Sequence, residues 1–486
     1  MATIQYEVTI GMEIHAELAT KTKMFCGCLN APFDSPAGGG PNANVCPVCL
    51  ALPGSLPVMN RQAIEWAVDL GFDLGSKIAE FTKWDRKNYF YPDLPKGYQI
   101  SQYDLPLLTG GAIEFKLDNE IRKINLTRVH LEEDTGKLVH SSSGRESLVD
   151  FNRAGVPLLE LVTEPELHSA EEAKKLCQTY QFILQRRGIA RADMEKGEMR
   201  CEANISISQK SKVKSQKLGT KVEVKNLNSF RAVERAIKYE VERQIETLDA
   251  GGQVEQETRG WDDAKQQTYV QRKKETAADY RYFPEPDLPP VTPANLWDLV
   301  AKERDALPYP HEEAAEVIHE FGLPAEVAEL FTTNAEAFAY WAELREELAE
   351  PTTEQLKQLQ LAASVYANLD LARQLNPTQL VELAGLVVVG AISQSQIREV
   401  VAVVIERGLE PSEVVDQLGL KQISDQGEVE AIVDQVLGEQ SEVVAKYRSG
   451  KSEVYGFLFG QVMRVSRGKA NPAIIGEILK RMLKEG

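Results

Sequence analysis

The sequence contains no apolar run long enough to cross a membrane. Its longest mostly apolar stretch, residues 383–392, falls well short of the roughly 20 residues that a membrane-spanning helix requires. Residues 1–5 also lack the basic segment that precedes the apolar part of a secretory signal. With 43% hydrophobic and 26% charged residues, the composition is typical of a globular protein. We therefore expect a cytoplasmic protein without a membrane partner, or an organellar protein of the stroma or matrix whose transit peptide has been removed.

Cysteine is scarce, and four of the six cysteines are clustered near the start of the chain. They form a C-x-C pair and a C-x-x-C pair: Cys26, Cys28, Cys46 and Cys49. Two such pairs, separated by a loop rich in Gly and Pro, can supply four thiolates to one tetrahedral zinc ion. Two disulfides or four unrelated core thiols are alternatives, but disulfides need an oxidising compartment, and nothing in the sequence indicates export. We predict a structural Zn²⁺ site, because four cysteine ligands leave no open position for chemistry.

The chain has fewer basic than acidic residues. The formal net charge of −18 argues against a protein that binds nucleic acid over most of its surface. The charges are unevenly distributed, however. Residues 298–350 contain fourteen acidic and three basic residues, whereas residues 441–486 contain nine Lys and Arg against four Glu. The basic tail favours contact with a polyanion at that end of the chain, although a solvated helical surface explains the charge equally well.

Apolar and polar residues alternate in several segments of the first 290 residues. The pattern is strict in residues 6–18 and recurs in residues 200–208 and 220–225. Alternation indicates strands with one buried and one polar face, and therefore a largely antiparallel sheet. Helices interrupt these strands, and one of them is predicted to begin with a capping box formed by Ser169 and Glu172.

Five prolines in residues 282–293 mark a domain boundary. Beyond them the pattern is helical to the end, and a second all-helical segment begins near Pro411. The predicted fold class is therefore α+β. We predict an α+β domain with the zinc loop at 26–49, a helical domain and a small helical tail domain, with the boundaries 1–292, 293–409 and 410–486.

Acidic residues and one histidine stand out in the predicted strands. Glu13 and His15 lie two apart on the polar face of the first strand, so their side chains project side by side. Glu133 lies at the end of the strand predicted at 126–133, and Glu160 stands in the apolar run PLLELV, where an unpaired carboxylate would be costly to bury. Imidazole suits metal binding or proton transfer, and Mg²⁺ prefers oxygen ligands. A solvated sheet edge held by salt bridges is the alternative.

Residues 84–102 interleave cations with aromatic rings. Arg86, Lys87 and Lys96 alternate there with several tyrosines and a phenylalanine. This combination offers cations for phosphate and rings for stacking on bases or adenine. A turn-rich loop packed by its own aromatic side chains is the alternative.

Seven long blocks of the sequence resemble a single family, the B subunit of the glutamyl-/aspartyl-tRNA amidotransferase, GatB. In chain order they are GMEIHAEL (11–18), DRKNYFYPDLPKGYQISQ (85–102), HLEEDTGK (130–137), VDFNRAGVPLLELV (149–162), RCEANIS (200–206), EVKNLNSF (223–230) and DYRYFPEPDLPP (279–290). The closing GFLFGQVMRVSRGKANP (456–472) resembles the tail of that family. The resemblance implies that the α+β domain is catalytic and cradle-like.

The resemblance also implies an ATP-dependent carbon–nitrogen ligase with glutamine as amido donor. The family phosphorylates the side-chain carboxylate of misacylated Glu-tRNA(Gln) or Asp-tRNA(Asn), and ammonia then displaces phosphate to give Gln-tRNA(Gln) or Asn-tRNA(Asn). The ammonia comes from a partner amidase subunit, and a small third subunit completes the heterotrimer. The sequence agrees with a separate amidase subunit, because it has no nucleophilic serine in a sequence context suited to glutamine hydrolysis.

Site residues follow from the matching positions. The resemblance implies that His15, Glu133 and Glu160 hold Mg²⁺, that Glu13 orients or activates the transfer, and that Lys87 contacts phosphate. The basic tail would bind the tRNA backbone through Lys446, Arg448, Lys451, Arg464, Arg467 and Lys469. The alternative hypothesis is a non-catalytic tRNA-binding scaffold in which zinc and sheet serve only structure.

Overall fold

The computed structural model describes residues 6–30, 39–141, 145–209, 218–273, 280–292, 305–348, 351–421, 426–466 and 469–484. Its contacts divide the chain into two compact units, Met1–Glu312 and Glu313–Gly486. All strands of the described residues belong to the first unit, and the second unit is helical. The predicted α+β class is confirmed. In the described part of the chain, no helix combines the length and apolarity needed to cross a membrane.

The first unit is built on one large sheet. Its strands and those of two small sheets are β1 (Tyr6–Glu17), β2 (Lys77–Ile78), β3 (Asp85–Asn88), β4 (Tyr98–Ser101), β5 (Leu108–Thr109), β6 (Ala112–Leu117), β7 (Glu120–Glu133), β8 (Lys137–His140), β9 (Ser147–Asp150), β10 (Pro157–Thr163), β11 (Met199–Gln209), β12 (Val222–Leu227), β13 (Glu257–Asp262), β14 (Gln267–Lys273) and β15 (Phe283–Pro284). The large sheet has the order β14-β13-β12-β11-β1-β10-β7-β5-β2, with β6 paired to β7. The small sheets are β15-β3-β4 and β8-β9.

Antiparallel pairing dominates, as the alternating sequence predicts. Among the described pairs, only β12 and β13 run parallel. In β1, the central strand, Ile10, Met12 and Ile14 are buried, whereas Glu13 and His15 on either side of Ile14 are only partly buried. This alternation places the core on one face of the sheet and leaves the charged side chains on the other.

Among the described residues of the first unit, three helices contribute to its core: α1 (Arg61–Asp73), α2 (Ala170–Arg186) and α3 (Phe230–Asp249). Helix α2 begins after Ser169, whose Oγ accepts a hydrogen bond of 3.1 Å from the backbone N–H of Glu172. The other half of the predicted capping box differs, because the Glu172 carboxylate accepts from the backbone N–H of His168 (2.7 Å) instead. The helix start was therefore predicted correctly, although one cap partner was not.

The described helices of the remaining chain are α4 (Pro310–Phe321), α5 (Ala325–Thr333), α6 (Ala335–Glu346), α7 (Thr353–Asn368), α8 (Pro377–Val388), α9 (Ile397–Arg407), α10 (Pro411–Gln417), α11 (Gln426–Glu439), α12 (Ser441–Arg448), α13 (Tyr455–Val465) and α14 (Pro472–Lys484). They form two hydrophobic clusters. Val414 and Val415 of α10 pack into the earlier cluster, although the predicted tail domain begins at residue 410. The contacts also place the first boundary after Glu312 rather than after 292. The division into three domains stays a prediction.

Candidate functional site

The polar face of the large sheet brings charged side chains from three adjacent strands together. His15 of β1 lies opposite Glu160 of β10, and Glu160 lies opposite His130 of β7. Residues that face each other across an antiparallel pair point to the same side of the sheet. The strand register therefore assembles this site, which involves residues far apart in sequence.

Short distances join these side chains into one cluster. His15 Nε2 lies 3.4 Å from Glu160 Oε2 and 3.7 Å from Glu132 Oε1, and His130 Nε2 lies 3.2 Å from the same Glu160 oxygen. Candidate ligand atoms of Glu13, His15 and Glu160 all lie within 4.8 Å of one another. The same holds for His130, Glu132 and Glu160. We call these five residues the acidic cluster. Its carboxylate and imidazole groups could hold a divalent cation.

Glu133 does not join the acidic cluster, although it was one of the three expected Mg²⁺ ligands. Successive residues of a strand point to opposite faces, so Glu132 faces the cluster and Glu133 faces away from it. Glu133 Oε1 accepts from the backbone N–H of Ile100 (2.8 Å) and lies 2.7 Å from Lys96 Nζ. The set of His15, Glu133 and Glu160 is therefore not assembled, and Glu132 stands where Glu133 was expected.

The electrostatics of the cluster indicate an excess of negative charge. Burial raises the pKa of Glu13 to about 7, and the neighbouring carboxylates of Glu160 and Glu202 act in the same direction. Burial alone would lower the pKa of His15, but hydrogen bonding and attraction to Glu160, and attraction to Glu132, raise it to about 9. Glu13 and His15 therefore keep their protons to a higher pH than usual, because several carboxylates lie close to them. A bound cation would relieve the same repulsion, so the residues fit a divalent metal ion.

Lys87 lies beside the acidic cluster, on β3. Burial alone would lower its pKa, but the carboxylates of Glu132 and Glu160 outweigh that effect and raise it. Its Nζ also lies 5.4 Å from the centre of the Tyr280 ring. The positive charge of Lys87 therefore lies next to the acidic cluster, and this charge would attract a phosphate group. Its predicted contact with phosphate stays a prediction.

A second group of charges lies at the edge of the same face. Arg200 Nη2 lies 2.6 Å from Asp134 Oδ2, and Arg153 Nε lies 3.6 Å from the same oxygen. Glu17 is a neighbour of this group. Burial raises its pKa to about 8, and the nearby Asp134 carboxylate adds to the rise. Glu17 is therefore largely protonated at neutral pH.

The four clustered cysteines are brought together by the loop between β1 and α1. Their Sγ atoms all lie within 4.8 Å of one another. The distance is 4.0 Å between Cys28 and Cys49 and 3.9 Å between Cys46 and Cys49. All four are free thiols, which leaves the two-disulfide alternative without support. Zinc–sulfur bonds of about 2.3 Å in a tetrahedron separate the sulfur atoms by roughly 3.8 Å, so the four side chains fit a zinc ion.

Hydrogen bonds of asparagine side chains connect the cysteine loop, which is the loop between β1 and α1 that carries the four clustered cysteines, to the segment before β10. The backbone N–H of Asn44 donates to Asn152 Oδ1 (2.8 Å), and the backbone N–H of Phe151 donates to Asn42 Oδ1 (2.8 Å). The backbone N–H of Asn42 donates in turn to Asp150 Oδ1 (2.9 Å). The loop and the segment 150–152 thus hold each other in place.

Comparison with known proteins identifies the family. Residues 8–297 match the family model described as the GatB/GatE catalytic domain, and residues 346–483 match the model described as the GatB domain. The chain belongs to the GatB family. The resemblance that the sequence blocks indicate is thereby confirmed, as is the order of a mixed α and β region followed by a helical region.

Individual GatB proteins match along their whole length. A protein of Thermomicrobium roseum is 46% identical over 492 residues, covering 99% of this chain and 99% of that protein. A protein of Moorella thermoacetica is 45% identical over 498 residues, covering 99% and 100%. A protein of Thermoanaerobacter sp. strain X514 is 43% identical over 495 residues, again covering 99% and 100%. All three are named as the B subunit of an aspartyl/glutamyl-tRNA(Asn/Gln) amidotransferase.

The basic residues of the GatB tail are mostly on the surface. Five of the six candidates are exposed: Lys446, Arg448, Lys451, Arg464 and Lys469. The sixth, Arg467, lies outside the described residues. Exposure leaves the five side chains available to a polyanion, and their contact with tRNA stays a prediction.

Two members of the acidic cluster, His130 and Glu132, were missed as candidates. Both lie in the HLEED block that supplied Glu133. A signal for them existed, because residues two apart in a strand share a face. What the sequence did not show was which of the two adjacent glutamates shares the face of Glu160, since that depends on strand register.

Proposed function

We propose that this chain is the subunit of a glutamine-dependent tRNA amidotransferase that activates the amino acid carried by a misacylated tRNA. The substrate would be Glu-tRNA(Gln), Asp-tRNA(Asn) or both, and ATP would supply the activating phosphoryl group. The names of the relatives support the assignment to an amidotransferase. The observation that carries the proposed chemistry is the convergence of Glu13, His15 and Glu160 on the polar face of the sheet.

The proposed reaction has two steps. A carboxylate oxygen of the aminoacyl side chain attacks the γ-phosphorus of ATP, which forms an acyl phosphate and releases ADP. Ammonia then attacks the carbonyl carbon, the bond to the phosphate oxygen breaks, and inorganic phosphate and a proton leave as the amide forms. The first step makes the second possible, because a free carboxylate is a poor electrophile and phosphate is a good leaving group.

The residues of the acidic cluster would have different roles in the first step, the transfer of the phosphoryl group from ATP. His15, Glu132 and Glu160 would hold Mg²⁺, with Glu132 in the place that the resemblance gives to Glu133. When bound, the metal would neutralise phosphate charge and align the transferred group. Glu13 would orient the reacting groups from the edge of the cluster. Lys87 would attract the phosphates, since its pKa is held high by the neighbouring carboxylates.

Other parts of the chain would serve substrate and partners. A partner amidase subunit would supply ammonia, and a small third subunit would complete a cytoplasmic heterotrimer. The exposed basic residues of the tail would bind the tRNA backbone. The cysteine loop would hold a structural Zn²⁺ and keep the segment before β10 rigid, as its hydrogen bonds to Asn152 and Asp150 suggest.

A Glu160→Gln variant in the assembled complex tests this function. We expect loss of amide formation and of ATP hydrolysis that depends on misacylated tRNA, while the partner still hydrolyses glutamine. Glu7→Gln is the matched control, because Glu7 is an exposed glutamate of the same β1 strand that carries Glu13. A non-catalytic scaffold predicts that Glu160→Gln leaves ATP turnover intact. Separate assays with Glu-tRNA(Gln) and Asp-tRNA(Asn) would identify the substrate.

A further inference from the structure

Lys23 is a lysine with no surface exposure. Its side chain has a relative exposed area of 0%, which is rare for lysine. Nζ donates to the carbonyl oxygen of Asn44 (2.9 Å) and to that of Phe151 (3.3 Å). Its third contact is Cys49 Sγ, at 3.8 Å. An ammonium group has three donors, and these three contacts account for all of them.

The three contacts of Lys23 differ in what they can contribute. The two carbonyl groups satisfy hydrogen bonds but carry no net charge, so they do not compensate a buried ammonium. Cys49 belongs to the four-cysteine group. Four thiolates around one Zn²⁺ carry a net charge of about −2, and opposite charges at this separation attract strongly away from water.

We propose that Lys23 is the internal counter-ion of the four-cysteine zinc site. The inference rests on the zinc site proposed above. Lys23 is a positioning residue rather than a ligand, because its ammonium stands next to a ligand sulfur and reduces the net negative charge of the site. The same ammonium joins the three parts that form the site: a metal-ligand position at Cys49, the loop between the two cysteine pairs at Asn44, and the segment before β10 at Phe151.

The first test measures zinc affinity of the full-length chain under reducing conditions, by competition with a chromogenic chelator. Lys23→Met keeps the apolar stem and removes the charge. We expect its zinc affinity to fall by about 10- to 100-fold, the usual effect of losing a group that supports a metal ligand. Lys21→Met is the matched control, because Lys21 is exposed and two positions away, and its affinity should equal that of the wild type. An unchanged affinity in Lys23→Met overturns the proposal.

A second measurement separates the charge from a packing role. Thermal unfolding is followed for the wild type and Lys23→Met, each with zinc and with the metal removed. We expect the substitution to lower the melting temperature of the zinc-loaded chain more than that of the metal-free chain. Only the zinc-loaded site carries a fixed negative charge, and the substitution leaves that charge without the Lys23 ammonium. An equal drop in both forms would show that Lys23 merely supports the two carbonyl groups, and this would also overturn the proposal.

The wild-type chain distinguishes this inference from the zinc site itself. If the wild type binds no zinc, the zinc site and the role of Lys23 both fail, while the ATP-dependent activity remains to be judged by the Glu160→Gln test. If the wild type binds zinc and Lys23→Met binds it equally well, only the role of Lys23 fails. Cobalt substitution gives an independent readout, because thiolate-to-cobalt charge transfer reports tetrahedral sulfur ligation in each variant.

Discussion

His130 Nε2 lies 3.2 Å from Glu160 Oε2, directly across the pairing of β7 with β10. Both side chains are buried. Burial alone would raise the pKa of Glu160, but the contacts with His130 and His15 lower it well below its usual value. Glu160 is thus an anion held between two imidazole groups from two strands. This relationship makes it the central carboxylate of the acidic cluster.

Glu132 and Glu133 should respond differently to the same substitution. Since Glu132 faces the acidic cluster, we expect Glu132→Gln to raise the Mg²⁺ concentration required for ATP hydrolysis by about 10- to 100-fold. Glu133→Gln should leave that concentration unchanged, because Glu133 contacts Lys96 and the backbone of Ile100 instead of the acidic cluster. Mg²⁺ titrations of the tRNA-dependent ATPase measure both. The reverse result, a shift for Glu133→Gln alone, would restore the set that the resemblance implied.

Removing the charge of Lys87 should weaken the use of ATP. We expect Lys87→Met to lower kcat/KM for ATP by about 10- to 1,000-fold, because a cation next to the transferred phosphate stabilises charge in the transition state. Steady-state kinetics at several ATP concentrations measure the effect. Lys77→Met is the control, since Lys77 is an exposed strand residue. An unchanged kcat/KM for Lys87→Met contradicts the assignment of Lys87 to phosphate.

Glu17 should make stability depend on pH. Its folded pKa of about 8 lies above the 4.5 of an unfolded glutamate, so the folded chain keeps a proton that the unfolded chain loses. Its contribution to stability is complete below pH 4.5 and falls as the pH rises towards 8. Glu17→Gln should remove this loss and raise the melting temperature at pH 8.5, relative to wild type, by roughly 2–4 °C. Melting curves between pH 5 and 8.5 test it, and parallel curves for the two proteins would contradict it.

The exposed basic residues of the tail should determine how tRNA binding depends on salt. We expect the triple substitution of Lys446, Arg448 and Lys451 by Gln to weaken tRNA binding and to flatten its salt dependence, because fewer counterions are released. Binding titrations at several salt concentrations provide both quantities. The control replaces three exposed lysines elsewhere, Lys77, Lys116 and Lys357. Equal losses in both triple variants would argue for a general charge effect and against a tail site.

Much of the fold was predictable because its signals are local. The alternation in residues 6–18 predicted β1, which spans Tyr6–Glu17, and the pattern in residues 200–208 predicted β11, Met199–Gln209. Ser169 correctly predicted the start of α2. Val414 and Val415 pack into the hydrophobic cluster of the preceding helices, a contact that the sequence pattern does not reveal. The predicted domain boundaries stay predictions.

The sequence by itself determined which residue types are available: four cysteines at zinc-like spacing, a Glu13–His15 pair on one strand, and a carboxylate at Glu160 within an apolar run. It also determined the family, since long blocks of matching residues need no structure to be recognised. Tertiary structure alone decided that Glu132 joins these side chains and that Glu133 does not. The physical reason is strand register, because a shift of one residue moves a side chain to the opposite face of the sheet. The contact of Lys23 with Cys49 was equally hidden, since a buried hydrogen bond between side chains depends on how the segments pack.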